Sequence, residues 1–179
     1  MDCTKFVQFR RDIYACFTRA GAALFDLRDA LLTEHTATTF IALSQAPCFQ
    51  RRWPSLYAAL RDGLIDHAAL MRVFVAALPR PPLGQRLSLG LDTSPIRRPD
   101  AVTARDRTLV YWPNLPRDAT PVVPGWSFSA LVVLPQPVSS STYVLDHRRV
   151  PSTETAVTLG AQQLRSVLPL LPCRALRVY

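Results

Sequence analysis

The chain has 179 residues, enough for one ordinary domain or for one small domain with part of another. Its hydrophobic fraction of 49% excludes an intrinsically disordered protein. The formal net charge of +8 comes almost wholly from arginine, because Lys5 is the only lysine. An arginine-rich surface suits phosphate recognition, since the planar guanidinium meets phosphate oxygens in a fork. High genomic GC content, which favours arginine over lysine, explains the bias equally well.

The cysteines and the N-terminus predict a cytoplasmic protein. No two of the four cysteines share a CxxC spacing and no histidine completes a zinc pattern, so we interpret them as buried thiols in a reducing compartment. Charged residues between Lys5 and Asp12 argue against a signal peptide. No uninterrupted apolar run reaches about 18 residues, and we predict no membrane span. The cysteines are Cys3, Cys16, Cys48 and Cys173.

Residues 1–80 are predicted to form a helical domain. Trp53-Pro54-Ser55 is expected to open a second helix, and Asp66 is a plausible N-cap for a third. The prolines between positions 79 and 82 stop helix formation and indicate a linker. One long amphipathic helix is expected before them, because apolar residues recur there at spacings of four and three. Its apolar face consists of Ile13, Phe17, Ala20, Leu24, Leu27 and Leu31.

Residues 85–179 are predicted to form a second domain, in which the hydrophobic period changes to two. Leu87, Leu89 and Leu91 point to one face of a strand, and Asp92 lies on the other face at the strand's end. A long proline-rich irregular loop is expected to follow. The remaining predicted elements are a strand over 128–134 that is buried on both faces, a strand over 142–150, a helix starting at 151 and a strand over 175–179.

The predicted order after the linker is strand, strand, strand, helix, strand. The first three strands are expected to form a meander, and a right-handed crossover should bring the last strand parallel to the first. This order is typical of the opening half of a ribonuclease H-like domain. The predicted fold class is therefore α+β or α/β, with a helical N-terminal domain followed by the first half of a ribonuclease H-like domain.

The residues at 91–111, LDTSPIRRPDAVTARDRTLVY, resemble the first-aspartate block of bacterial insertion-sequence transposases with a DDE catalytic domain. The runs at 9–17, 124–129 and 146–150 are similar to other parts of the same family. The resemblance implies a DDE superfamily endonuclease that cleaves and joins DNA at transposon ends. It also implies that Asp92 is the first catalytic acid and a ligand of Mg²⁺, and that the protein associates with the bacterial nucleoid.

In such families the second acid follows the fourth strand and the third lies on a later helix. Both positions fall after Tyr179, so the sequence reads as the front part of a transposase that is inactive by itself. One carboxylate does not hold a two-metal site. An open strand edge and an uncovered apolar face also predict self-association. Two alternatives stay open, a non-catalytic DNA-binding protein derived from a transposase and an unrelated α+β interaction module.

Individual side chains near the first strand have structural and functional interpretations. Asp100 and Asp106 are expected in turns and caps rather than at a metal. Asp146 is expected to pair on the surface with Arg148 or Arg149, His147 is read as an ordinary exposed histidine, and the three tryptophans are read as core anchors. The best candidates for contacts to the DNA backbone, against the alternative of a solvated basic loop, are Arg97, Arg98, Arg105 and Arg107.

Overall fold

The computed structural model describes residues 3–79, 86–112, 121–134, 142–171 and the backbone of 176–178. The chain divides into two compact units, Met1–Ala77 and Leu78–Tyr179. Six α-helices and two sheets lie in the described ranges, so the fold is mixed α+β, as the sequence predicts. None of the helices in these ranges has both the length and the apolar content that a bilayer crossing requires.

The N-terminal unit is mainly helical and contains one small two-stranded sheet. Its elements are α1 (Cys3–Ala15), β1 (Phe17–Arg19), α2 (Gly21–Thr33), α3 (Phe40–Leu43), α4 (Trp53–Asp62), β2 (Leu64–Ile65) and α5 (His67–Ala76). The predicted helix at Trp53 and the N-cap at Asp66 are confirmed, because the Asp66 carboxylate accepts a hydrogen bond from the Ala69 backbone N–H at 2.9 Å.

The single long helix predicted across residues 13–31 is wrong. The chain leaves the helix after Ala15, pairs Phe17 with Ile65 in an antiparallel bridge, and passes through the left-handed region at Ala20, where φ is 54°. Of the predicted apolar face only Ile13 and Leu27 are buried, while Ala20 is exposed. Leu31, at the end of the predicted face, is 58% exposed. Strand pairing between distant residues therefore overrides the local periodicity here.

The core of this unit lies between α2, α3 and α4. It is a cluster of buried apolar residues, namely Leu27, Ala30, Leu43, Ala46, Phe49 and Leu56. On the side facing α1, Arg10 donates two hydrogen bonds to the two oxygens of Asp29, at 3.1 and 2.6 Å. This two-point ion pair ties α1 to α2, and it lowers the pKa of Asp29 below its ordinary value.

The second unit is built on a five-stranded sheet. Its elements are β3 (Leu87–Arg97), β4 (Thr108–Tyr111), β5 (Val122–Leu134), β6 (Tyr143–Arg149), α6 (Ala156–Val167), a 3₁₀ turn (Leu168–Leu170) and β7 (Leu176–Val178). The linker prolines after Pro79 and the turn predicted at 135–141 lie outside the described residues. The strand β4 was missed by the sequence prediction, which placed an irregular loop there. The helix α6 begins at Ala156, later than predicted, because Thr155 is its N-cap.

β5 is the central strand of this sheet. Along one edge it pairs antiparallel with β3 from Ser88↔Leu134 to Arg97↔Gly125. Along its other edge it pairs first with β4 and then with β6, both antiparallel. β7 pairs parallel with β3, with Leu87 opposite Leu176. The predicted hairpin of the second and third strands and the predicted parallel pairing of the last strand with the first are confirmed.

The two faces of the sheet differ. Side chains directly opposite each other on paired strands share a face. Leu89 and Leu131 lie on the face covered by α6, and both are fully buried. Gly160 lets α6 approach closely, since an added Cβ would lie 2.5 Å from Leu91 Cδ2. In the described part of this unit no helix packs on the opposite face, which we call the open face. Phe128 on the open face is only half-buried. The prediction that this strand is buried on both faces is therefore wrong.

Candidate nucleic-acid interface

Asp92 lies on the face opposite α6, as predicted, but in the middle of β3, so the prediction that it lies at the strand's end is wrong. Ala130 of β5 is directly across from it, and His147 of β6 is across from Ala130. The Asp92 side chain is exposed, and its Oδ1 accepts a hydrogen bond from the Thr93 backbone N–H at 2.7 Å. The alternation predicted for this strand holds, because the register with β5 runs without a shift from Ser88 to Arg97.

The described residues around Asp92 do not fit a magnesium centre. No group of three histidine, cysteine, aspartate or glutamate side chains converges anywhere in the described ranges. The next titratable group across the sheet, His147, is two strands away, which corresponds to about 10 Å between the Cα atoms. Two-metal phosphoryl transfer requires carboxylates that converge from neighbouring strands. Asp92 and its described neighbours therefore do not support metal-dependent phosphoryl transfer.

The predicted acid and the predicted arginines are also separated in space. Arg97 is five residues further along the same continuous strand, or about 16 Å away at the usual rise. Because side chains of a strand alternate between its two faces and five is an odd number, Arg97 lies on the face opposite to Asp92. The sequence suggested that the arginines flank the acid, but the extended conformation of β3 moves them to the far end of the sheet.

The connection between β3 and β4 is held against the end of the sheet by its backbone. The Arg98 N–H donates to the Pro124 carbonyl at 2.8 Å. The Arg105 carbonyl accepts hydrogen bonds from Trp126 Nε1 at 3.3 Å and from Arg149 Nη1 at 3.5 Å. These contacts make an ordered arginine-bearing loop of residues 98–107, which we call the arginine loop.

The four predicted arginines have different roles in and beside this loop. Arg107 is half-buried and its Nη1 donates to the carbonyls of Arg98 and Pro99, at 2.8 and 2.9 Å, so it fastens the loop. The Arg97 guanidinium carbon lies 5.6 Å from the centre of the Trp112 ring. The Arg98 and Arg105 side chains are exposed, and no ion pair of theirs occurs within the described ranges. These two guanidinium groups are the ones most available to an anionic partner.

Arg149 belongs to the same cluster, although the sequence offered no signal for it beyond its charge. Its guanidinium carbon lies 5.9 Å from the Trp126 ring, and its Nη2 is 3.1 Å from Asp106 Oδ2. Asp106 has φ 56° and its Oδ1 accepts a hydrogen bond from the Ser152 N–H at 3.0 Å. Hydrogen bonds from Ser152 and, after them, the charge of Arg149 lower the pKa of Asp106. The predicted turn role of this aspartate is confirmed.

Asp146 lies on the α6 side of the sheet. It is 8% exposed, so the prediction of a surface position is wrong. Its Oδ2 is 2.7 Å from Arg148 Nε, which confirms the ion pair with Arg148. The residue was misplaced because Asp146 and His147 are adjacent in a strand whose side chains alternate between a covered and an open face.

Aromatic rings lie beside the arginines on the open face of the sheet. Trp126, Phe128 and His147 share this face, and the rings of Phe128 and His147 stack with centroids 5.3 Å apart and planes 7° apart. His147 is exposed, as predicted. Trp126 is only half-buried and Trp53 is 57% exposed, so the prediction of tryptophans as core anchors fails for Trp53.

The N-terminal unit has a shallow pocket of about 260 Å³ lined by Val7, Arg10, Arg11, Tyr14 and Phe25. Its two arginines differ, because Arg10 is neutralised by Asp29 whereas Arg11 is exposed. The arginine loop with its neighbouring rings is therefore the stronger candidate for a charged partner. Comparisons of the chain with protein-family models, with curated proteins and with solved structures each found no match.

Proposed function

We propose that this protein binds DNA as part of a transposase with a ribonuclease H-like catalytic sheet, in which Asp92 occupies the position of the first catalytic acid. The observation that carries the proposal is the strand arrangement. The order β6–β5–β3–β7, antiparallel except for the last pair and with α6 between β6 and β7, agrees with the opening half of such a sheet. Asp92 lies on the strand to which the family resemblance assigns the first acid.

The parallel register supports the same assignment. Leu89 is opposite Val178, and Asp92 lies three residues beyond Leu89. β7 therefore runs beside β3 in the direction of Asp92, as the strand next to the first one does in a ribonuclease H-like sheet. Because Asp92 alone does not hold two metal ions, we expect the 179 residues by themselves to show no Mg²⁺-dependent nicking of supercoiled DNA.

The arginine loop supports the DNA-binding part of the proposal. Arg98 and Arg105 are exposed on a loop whose backbone is fixed by hydrogen bonds, so their guanidinium groups would contact phosphates without first ordering the loop. Self-association and a place at the nucleoid belong to the same proposal. The exposed aromatic cluster of Phe40, Trp53 and Tyr57 supports self-association, which sedimentation of the purified protein would test.

A non-catalytic DNA-binding protein is the second candidate. It is favoured by the isolation of Asp92, whose described neighbours across the sheet are an alanine and a histidine rather than a second acid. The two candidates share DNA binding and differ only in the chemistry expected when the remaining acids are supplied by additional residues.

A salt series with labelled duplex DNA tests the shared part. The double variant Arg98→Ala/Arg105→Ala should bind more weakly, and the slope of log affinity against log salt should fall by about two. Arg165→Ala is the matched control, because Arg165 is exposed on α6 and away from the arginine loop. Absence of duplex and single-strand binding at low salt would overturn the proposal. Nicking by the wild type that Asp92→Ala abolishes would overturn the second candidate and also the expectation that these 179 residues are inactive by themselves.

A further inference from the structure

We propose that the open face of the sheet in the second unit is a binding surface for unpaired nucleic-acid bases, with the stacked rings of Phe128 and His147 at its centre. This inference rests on the proposed function, because it takes nucleic acid as the partner. It goes further by naming single-stranded rather than double-stranded segments as the ligand of this face.

The ring geometry is the first argument. Phe128 and His147 belong to adjacent strands, and their rings are nearly parallel, with planes 7° apart. Ser94 is directly opposite Phe128 on β3, and Ala130 is the next residue of β5 on the same face. Both are small, so among the described residues they leave the β3 side of the stacked pair open to a base. Bases bind proteins in this way when they stack on aromatic side chains presented by a sheet.

The surrounding charge is the second argument. Residues 78–179 contain twelve arginines and six acidic residues, so this unit carries most of the net positive charge. Arg149 lies beside Trp126 on the open face, and the arginine loop that bears Arg98 and Arg105 is attached at the same end through the Arg105 carbonyl. A strand whose bases stack on the rings would therefore have cations beside its phosphates.

The geometry favours unpaired bases because a duplex hides the faces of its bases. In double-stranded DNA the faces are stacked on one another, and a protein reaches only base edges and phosphates. Two side chains already stacked in parallel offer a ring face, which only an unstacked base engages. The exposed guanidinium groups alone would bind either form, so the rings are the part that discriminates.

Fluorescence anisotropy with labelled oligothymidine and with a labelled duplex of the same length tests the inference on the full chain. We expect His147→Ala to lower the affinity for oligothymidine by about tenfold. His147→Phe should retain that affinity, since it keeps a stacking ring. Tyr143→Ala is the matched control, because Tyr143 is an exposed ring on the same strand but on the α6 side of the sheet.

The outcomes separate this inference from the proposed function. Duplex affinity that is unchanged in His147→Ala, together with weaker oligothymidine binding, supports the inference. If His147→Ala binds each probe as tightly as the wild type does, the inference is overturned and the proposed function stands. Absence of binding to both probes overturns the proposed function as well. His147 is exposed, so its replacement should leave the circular dichroism spectrum unchanged and, through the lost contact with Phe128, lower the unfolding midpoint only slightly.

Discussion

Asp106 and Arg149 are joined by an ion pair of 3.1 Å across 43 residues of sequence. The same carboxylate accepts a hydrogen bond from the Ser152 N–H. The pair therefore links the arginine loop to the end of β6 and to the segment that leads into α6. Because Trp126 and the Arg105 carbonyl contact the same guanidinium group, the position of the loop depends on this contact.

Replacement of Asp106 should destabilise the protein in a pH-dependent way. The native pKa of Asp106 is lowered, so its contribution is complete above the unfolded value of about 4 and is lost as the pH falls through the lower native value. The urea midpoint of Asp106→Asn should therefore be below that of the wild type at neutral pH, and the difference should shrink in acid. A difference that stays constant across this range would contradict the prediction.

The choice of variant separates charge from geometry at this position. Asn tolerates the left-handed conformation, and its side-chain oxygen is able to accept the hydrogen bond from the Ser152 N–H. Ala is strained in that conformation and has no side-chain acceptor. Asp106→Ala should therefore be less stable than Asp106→Asn at every pH. Asp106→Asn also frees the Arg149 guanidinium, and we expect tighter binding of oligothymidine than in the wild type at low salt.

Gln163 is expected to be essential for the packing of α6 on the sheet. It is fully buried, its Oε1 accepts a hydrogen bond from Ser129 Oγ at 2.6 Å, and its Nε2 donates to the Ser129 carbonyl at 3.3 Å. Gln163→Ala leaves the buried Ser129 hydroxyl without this acceptor and opens a cavity. The free energy of unfolding should therefore fall by about 2–3 kcal/mol. Urea unfolding followed by circular dichroism measures the change.

The neighbouring glutamine provides the control for that measurement. Gln162 is half-buried and contacts Glu154 at 3.3 Å. Gln162→Ala should cost no more than about 0.5 kcal/mol. Equal destabilisation by the two replacements would show that the buried pair between Gln163 and Ser129 adds nothing specific.

Gly125 permits the close approach of β3, β4 and β5 at the base of the arginine loop. A Cβ at this position would collide with the Ile96 carbonyl oxygen and lie 2.9 Å from Val110 Cγ2. Because the first of these is a backbone atom, Gly125→Ala should cost about 1–3 kcal/mol and weaken nucleic-acid binding. Gly90→Ala is the control, since its Cβ would meet no backbone atom and only side-chain methyl groups, the nearest being Val132 Cγ2 at 3.2 Å and Leu134 Cδ2 at 3.4 Å. Similar midpoints for both variants would contradict this account.

Several elements follow from local sequence alone. The alternation of Leu87, Leu89 and Leu91 predicted β3 and its covered face, and Asp66 predicted the start of α5 through its cap. The parallel pairing of β7 with β3 followed from the order of the elements and the handedness of crossovers. Periodicity and caps are readable within a short window, and the order of the elements follows once those windows are placed along the chain.

Other features depend on contacts between distant residues and were not predictable in this way. β4 contains Thr, Val and Tyr, which favour strands, but a run of four residues does not define a strand by itself, and pairing with Val122–Gly125 fixes it. The pairing of Arg149 with Asp106 has no local signal. Asp92 and the arginines looked like one site because they are close in sequence, but β3 is extended and separates them.

Replacement of Asp92 tests whether this carboxylate acts here as a charge or as a metal ligand. It lies on the same face as the stacked rings, about 10 Å from the His147 backbone. At that distance its repulsion of phosphate is weak, so Asp92→Asn should raise the affinity for oligothymidine by about twofold at low salt. Asp100→Asn in the turn that follows β3 controls for the general loss of a negative charge.

Mg²⁺ should change the affinity for oligothymidine to the same extent in the wild type and in Asp92→Asn. A single carboxylate with one oxygen already hydrogen-bonded to the Thr93 N–H offers too few ligands for a Mg²⁺ ion, which demands octahedral oxygen coordination. Affinities measured with MgCl₂ and with NaCl of matched ionic strength should therefore change in parallel for the two proteins. A magnesium effect that is present in the wild type and absent in Asp92→Asn would show that Asp92 gathers further ligands, as the first acid of a transposase site would.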